Sequence, residues 1–188
     1  VPLQDVRLLP SPWLDAVERN RAYLLSLSAD RLLHNFRTQA GLPARGAVYG
    51  GWENDTIAGH TLGHYLSALA LMYAQTGDAE CRNRVAYIVQ ELALVQTKWG
   101  DGYVAGFTRK EKKGKIPAGK IIFSEIENGD IRSGVFDLNG AWSPLYSIHK
   151  TFAGLFDAQT YCQNTDALTV AVRLGGFFEV FYSKLTDA

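Results

Sequence analysis

The chain has 188 residues, which at roughly 150 residues per domain is about one domain or a large piece of one. Hydrophobic residues make up 47% and charged residues 20%, ordinary globular usage that excludes intrinsic disorder and collagen-like structure. Lys plus Arg is 19 and Asp plus Glu is 19, so the zero net charge argues against a dedicated nucleic-acid or anionic-membrane binder, and no apolar run approaches the ~20 residues of a membrane span.

Two cysteines, Cys81 and Cys162, make neither a disulfide framework nor a four-ligand zinc site and read as free structural thiols. The chain begins Val1-Pro2, which reads as a processed or trimmed start. Aromatic residues are 12% of the chain, enough to serve a core and to offer faces to a sugar.

In chain order, Ser11 caps a first helix and Pro12 takes its first position, with Trp13, Val17, Tyr23, Leu24 and Leu27 following. A short second helix is predicted from Asp30 to Gln39, stopped by Gly41 and Pro43, and residues 41–59 read as a glycine-punctuated loop. A third helix runs from Gly59 to Gln75 and ends at Gly77. Asp78 caps a fourth, which reaches Lys98 before Gly100-Asp101-Gly102. The turn-rich stretch from 101 to 141 carries strand-like pieces at Tyr103–Phe107 and Lys120–Phe123. A fifth helix is predicted over Ser143–Tyr161 and a sixth over Asp166–Phe181. The basic run from Arg109 to Lys115 lacks interleaved aromatics and reads as an exposed loop tip.

The helices differ in their faces. In the fourth, Val85, Ile88, Val89, Leu92 and Val95 form one apolar stripe, while Glu80, Arg82, Arg84, Gln90 and Glu91 suit water. The third is apolar nearly all round, with a narrow uncharged stripe of His60, His64 and Ser67 on one face. The fifth is apolar too, with Ser143, Tyr146, Ser147, His149 and Lys150 clustered at its start. Helices with a wet face thus alternate with helices buried on both sides. The pattern predicts a mainly α fold of about six helices, part of an α/α toroid, with a short β excursion near 103–123.

Three clusters carry candidate chemistry. His60 and His64 stand one turn apart, as in the H-E-x-x-H helices of zinc hydrolases, yet no glutamate lies between them and no third ligand is near. They read as a pair that hydrogen-bonds a polar ligand, as metal ligands, or as core histidines. Trp52 and Glu53, on the loop Tyr49 to Asp55, have a composition common in sugar sites, or form a solvated loop with one packed Trp. Tyr146 and His149, one turn apart beside Lys150, suit hydroxyls or a carboxylate, or belong to a capped helix start. Glycoside hydrolysis usually needs two carboxylates across the scissile bond. Glu53, Asp55, Glu125, Glu127, Asp130 and Asp137 are the candidates, and spacing alone does not pair them.

Several strings resemble one family: Asp30-Arg31-Leu32-Leu33-His34-Asn35-Phe36-Arg37, Tyr49-Gly50-Gly51-Trp52-Glu53, and above all Gly59-His60-Thr61-Leu62-Gly63-His64-Tyr65-Leu66-Ser67-Ala68. Asp101-Gly102-Tyr103-Val104 and the stretch from Trp142 to Lys150 add to them. Together they are similar to the β-L-arabinofuranosidases of glycoside hydrolase families 127 and 146. The resemblance implies an (α/α)6 toroid with a pocket for a terminal L-arabinofuranose. It also implies a retaining enzyme with a cysteine nucleophile in a zinc–thiolate site and a glutamate acid/base. Those groups belong to later helices of the family, and neither Cys81 nor Cys162 sits in a matching motif.

The expectation is therefore that residues 1–188 are the amino-terminal portion of one such catalytic domain, inactive alone, with no catalytic residue, metal ligand or cofactor of its own. Zinc is implied only for the full-length family. Trp52, Glu53, His60, His64, Tyr146 and His149 are expected to form one wall of the sugar pocket. The expected partner is an L-arabinofuranosyl glycan of plant origin, with self-association through exposed inner-helix surface. The localisation is left open, with export to the periplasm or outside the cell resting on the resemblance alone. The competing readings are an α/α-toroid sugar enzyme of another kind and a truncated, non-catalytic sugar-binding or scaffold protein.

Overall fold

The computed structural model describes residues 1–110 and 118–185. Helix α1 (Pro12–Ser26) starts where Ser11 Oγ accepts a hydrogen bond from Leu14 N, with Pro12 already in helical geometry. The segment expected as one short helix divides at Leu33 into α2 (Ala29–Leu32) and α3 (His34–Gln39). Four long helices follow: α4 (His60–Thr76), α5 (Ala79–Trp99), α7 (Pro144–Cys162) and α8 (Thr165–Ser183). Between α5 and α7 lie the short α6 (Ile121–Glu127) and an antiparallel sheet of β1 (Ser133–Gly134), β2 (Asp137–Leu138) and β3 (Ala141–Trp142). Ser133 pairs with Leu138, and Asp137 with Trp142.

The long helices form two hairpins. Gly77 at φ +74° ends α4, and Asp78 accepts from Cys81 N to begin α5. Gln163 at φ +55° ends α7, and Asn164 accepts from Ala167 N to begin α8. Across the hairpins α4 lies directly on α7. Ser147 Oγ donates to Ile57 O at 3.0 Å near one end, and Gly154 meets Gly63 and Leu66 further along. Contacts that advance together along both chains mean that α4 and α7 run parallel. A Cβ on Gly63 would fall 2.1 Å from Lys150 O, and one on Gly154 would fall 2.7 Å from Gly63 O. Two glycines thus let the backbones touch.

Helix α5 flanks this pair with the predicted stripe: Val85, Ile88, Val89 and Val95 are fully buried and Leu92 nearly so. Glu91 departs from the expectation of a water-facing residue. It is buried, because Arg37 Nη1 and Arg45 Nη1 both donate to its carboxylate. Arg37 is itself only 3% exposed, and its Nε donates to Pro43 O at 2.9 Å. One ion triad therefore pins α3 to α5 and to the start of the loop that leads to Trp52.

The β excursion exists but lies at 133–142, later than the sequence placed it. Tyr103, Val104, Ala105 and Phe107 are buried as an irregular strap, and only Thr108 forms a bridge, to Ala118. Their apolar side chains pack against helices on either side, which leaves no room for a partner strand. Lys120–Phe123 opens into α6, since Ile122, Phe123 and Ile126 form a helical face. Phe123 meets Phe177, Phe178 and Phe181 of α8 at centroid distances of 5.4, 5.6 and 5.0 Å. Most of the basic run lies outside the described residues; Arg109, within them, donates to Glu125. No helix among the described residues is long and apolar enough to cross a membrane.

Candidate functional site

The start of α4 is built from the sequence outward. Gly59 sits at φ +90° with Gly106 Cα 2.8 Å from where its Cβ would be, so only glycine fits there. This turn leaves the first backbone N–H groups of α4 unpaired within the helix. Glu53, on the preceding loop and 5% exposed, takes them: Oε2 accepts from Gly59 N at 3.0 Å and Oε1 from Thr61 N at 3.3 Å. Its Oε1 also lies 3.4 Å from His60 Nδ1. A carboxylate at a helix N-terminus is favoured by the helix dipole as well as by these bonds.

His60 is buried, and its Nδ1 donates to Ile57 O at 2.9 Å. Ile57 O also accepts from Ser147 Oγ, so one carbonyl ties the His60 ring of α4 to α7. With the proton on Nδ1, Nε2 is the acceptor nitrogen, 3.4 Å from Thr61 Oγ1. His64, one turn on, is exposed, and its Nε2 shares a hydrogen bond of 3.0 Å with the Tyr146 hydroxyl. The His60 and His64 rings stand perpendicular with centroids 6.1 Å apart, their bonded nitrogens turned to different partners.

Tyr146 completes a continuous ring wall. Its centroid is 5.9 Å from His60 and 6.3 Å from His64. Trp52, 63% exposed, lies 5.9 Å from His60 and meets Trp142 edge-on at 6.2 Å. The structure thus brings Trp52, His60, His64 and Tyr146 onto one surface. Glu53 lies behind it and acts through His60 and the helix start. His149 is exposed, near enough to His64 for its charge to bear on that ring. Trp142 is the wall residue that sequence reasoning named but did not place there. Its string was visible, but nothing local says that Trp142 N donates to Thr56 Oγ1 across the fold.

The wall rings carry no fixed charge themselves, but the Lys150 ammonium stands 5.0 Å from the centre of the Tyr146 ring. Burial lowers the His64 pKa below its ordinary value, and the charge of Lys150, joined by His60 and His149 when they are protonated, lowers it further. The native state therefore binds fewer protons at this ring than the unfolded chain, whose histidine titrates near pH ~6.5. This contribution to stability is present above that pH and is lost as pH falls through the lower native value. Replacing His64 by Gln is expected to flatten the acid side of the Tm–pH curve between about pH 7 and about pH 5. Parallel curves for the two proteins would refute the assignment.

The other candidate carboxylates are engaged elsewhere. Asp55 pairs with Lys110 and accepts from Thr56 N, and Glu125 accepts from Arg109, Arg132 and Asn139. These bonds hold both below the usual carboxylate pKa, against the cost of burial. Among the described residues no three His, Cys, Asp or Glu side chains cluster closely enough to hold a metal ion. Cys81 and Cys162 are buried thiols pushed up to a pKa of about 11 by desolvation. A zinc–thiolate needs ionised sulfur, so these residues do not fit one. A cavity of about 660 Å³ lies away from the ring wall, between Trp99, Lys120 and Phe181.

The starts of α4 and α7, with the loops before them, thus present indole, phenol and imidazole faces on one surface. Residues 5–188 match the family described as beta-L-arabinofuranosidase, GH127 catalytic domain. The chain belongs to this family of glycoside hydrolases. No curated protein matches the chain.

Proposed function

We propose that this chain supplies one wall of the sugar pocket of a β-L-arabinofuranosidase that acts on terminal L-arabinofuranosyl groups of plant glycans. The observation that carries the reading is the uncharged surface of Trp52, His60, His64 and Tyr146, locked at one end by Glu53 and Ile57. A furanose ring offers C–H faces to an indole and hydroxyls to ring nitrogens and phenols, and this surface has both. In the reading, Trp52 stacks on the sugar, while His64 and Tyr146 bond its hydroxyls. His60 Nε2 accepts from a further hydroxyl, and Glu53 is a positioning residue. His149 with Lys150 closes the edge.

The two hairpins form part of an α/α toroid in this reading, and residues 1–188 are the amino-terminal portion of its catalytic domain. Leu145, Phe156 and Val172 are exposed on α7 and α8, and are where the reading sets a neighbouring hairpin or a second copy of the chain. The acid/base and the zinc-held nucleophile of the family come from outside this chain. What this chain's own residues do is bind and orient the sugar.

The test is hydrolysis of methyl β-L-arabinofuranoside by the full-length enzyme and its variants. His64→Ala and Tyr146→Phe are each expected to lower kcat/KM about 10- to 100-fold, since each leaves a sugar hydroxyl unpaired. Tm should move little, because both side chains are exposed. A wild-type enzyme that releases no arabinose, or variants with unchanged kcat/KM, would overturn the reading.

A further inference from the structure

Lys150 is held where α4 and α7 touch. A Cβ on Gly63 would fall 2.1 Å from the Lys150 carbonyl oxygen, so the backbone at Lys150 is fixed against α4. Its side chain leaves α7 one turn after Tyr146, on the same face, and Nζ lies 5.0 Å from the centre of the Tyr146 ring. The residue is half-buried, and its ammonium is joined to no carboxylate among the described residues. Its charge therefore acts on the groups around it instead of cancelling against one partner.

The group nearest to it is a hydrogen bond with two polarities open to it. His64 Nε2 and the Tyr146 hydroxyl are 3.0 Å apart. Either the phenol O–H donates to the bare Nε2 of a neutral imidazole, or an Nε2–H donates to the phenol oxygen. The two arrangements offer a ligand different groups. In the first, the Tyr146 oxygen keeps lone pairs as acceptors and His64 Nδ1–H is a donor. In the second, the Tyr146 O–H is the donor. A cation beside the phenol strengthens its O–H as a donor, and the same cation opposes a second positive charge on the imidazole. Both effects favour the first arrangement.

The other charged and titratable groups facing the pair come from each element packed around it. On α4, His60 stands ring to ring with His64 at 6.1 Å, its Nδ1 on Ile57 O. On α7, His149 joins Lys150; after burial itself, Lys150 is the largest influence against a charged His64, ahead of His60 and His149. On the loop before α4, the Glu53 carboxylate is engaged by Gly59 N and Thr61 N. On the β1–β2 hairpin, Asp137 borders Tyr146 and accepts from Gly140 N. Neither carboxylate is bonded to His64 or Tyr146, so neither offsets the ammonium at the bond itself.

We propose that Lys150 is a positioning residue: its ammonium holds the His64–Tyr146 pair in a single polarity, phenol O–H as donor and neutral imidazole as acceptor. The ring wall then presents the Tyr146 lone pairs as a fixed acceptor and His64 Nδ1–H as a fixed donor. The inference rests on the arabinofuranosidase reading and adds to it which atoms of the pair are left for the sugar. Protonation of His64 breaks the arrangement, since an imidazolium has no acceptor nitrogen and must donate to the phenol oxygen.

The experiment uses the full-length enzyme with Lys150→Met, which removes the charge and keeps the length, Lys150→Gln as a second neutral variant, and Lys150→Arg, which keeps the charge. Two quantities are followed against pH: kcat/KM for methyl β-L-arabinofuranoside, and the His64 imidazole titration by NMR with ring-labelled histidine, assigned through His64→Gln. In the neutral variants the imidazole titration and the acid limb of kcat/KM are both expected to move up by about half a pH unit or more. At the acid end kcat/KM then falls about threefold or more, while the plateau above it stays within about twofold of wild type. Lys150→Arg should keep both curves near wild type. An imidazole titration or an acid limb that stays in place in the neutral variants overturns the role, whether kcat/KM falls uniformly or not at all. If wild type releases no arabinose, the arabinofuranosidase reading fails, and the imidazole titration by itself decides for Lys150.

Discussion

Replacing Gly63 by alanine is expected to destabilise the protein by about 3 kcal/mol or more, near the upper end for overpacking a core. The added Cβ would fall 2.1 Å from Lys150 O, 2.3 Å from its carbonyl carbon and 2.8 Å from Thr151 N. All three are backbone atoms inside α7, so no side chain can rotate out of the way. Helices α4 and α7 must separate, and the contact of Leu66 with Gly154 loosens with them. For a chain of this length each kcal/mol shifts Tm by roughly 2–4 °C, so a fall of about 6–12 °C or more is expected. The effect also reaches the site, since Ile57 O holds His60 and Ser147 on opposite sides of the same crossing. A Gly63→Ala protein that melts with the wild type would mean that α4 and α7 do not meet as described.

Removing Arg37 carries the second large effect. Its guanidinium is 4% exposed and donates to Glu91, whose side chain is 8% exposed. Arg37→Leu leaves a buried carboxylate with only the partly exposed Arg45 as partner, a loss of about 3 kcal/mol at the low end for broken buried pairs. The double variant Arg37→Leu with Glu91→Leu should recover most of that loss, because no uncompensated charge remains. Denaturant midpoints of the two single variants, the double variant and wild type give the coupling directly. Single variants that cost under about 1 kcal/mol would show that the triad does not hold the fold. The loop from Pro43 to Glu53 should loosen with the loss, since Arg37 also holds Pro43 O.

Several features were legible in the sequence for local reasons. Ser11-Pro12, Asp78 and the glycines at 77 and 100 give cap chemistry without reference to the rest of the fold, and the long helices begin and end within about two residues of where they were expected. The stripe from Val85 to Val95 works in the same way, because a helix period alone selects one face. The Gly-His-Thr-Leu-Gly-His string pointed to the family that the family comparison shows.

Other features depended on partners far along the chain. Ile121-Ile122-Phe123 has strand-type side chains, yet the aromatic face of α8 rewards the helical arrangement. Tyr103–Phe107 has the composition of a strand and is buried without one. Glu91 read as a wet residue until Arg37, 54 positions away, folded onto it.

The site divides along the same line. The sequence by itself determined that the protein is mainly α, that His60 and His64 share a face, and that an aromatic loop precedes them, because these follow from nearest-neighbour geometry. Only the tertiary structure decided that His60 is buried on Ile57 O while His64 meets Tyr146, that Glu53 caps a helix behind the wall, and that Trp142 stands beside it. Helix periodicity fixes which side chains lie together on one surface, but the surface that meets them is set by two glycines letting α4 and α7 touch.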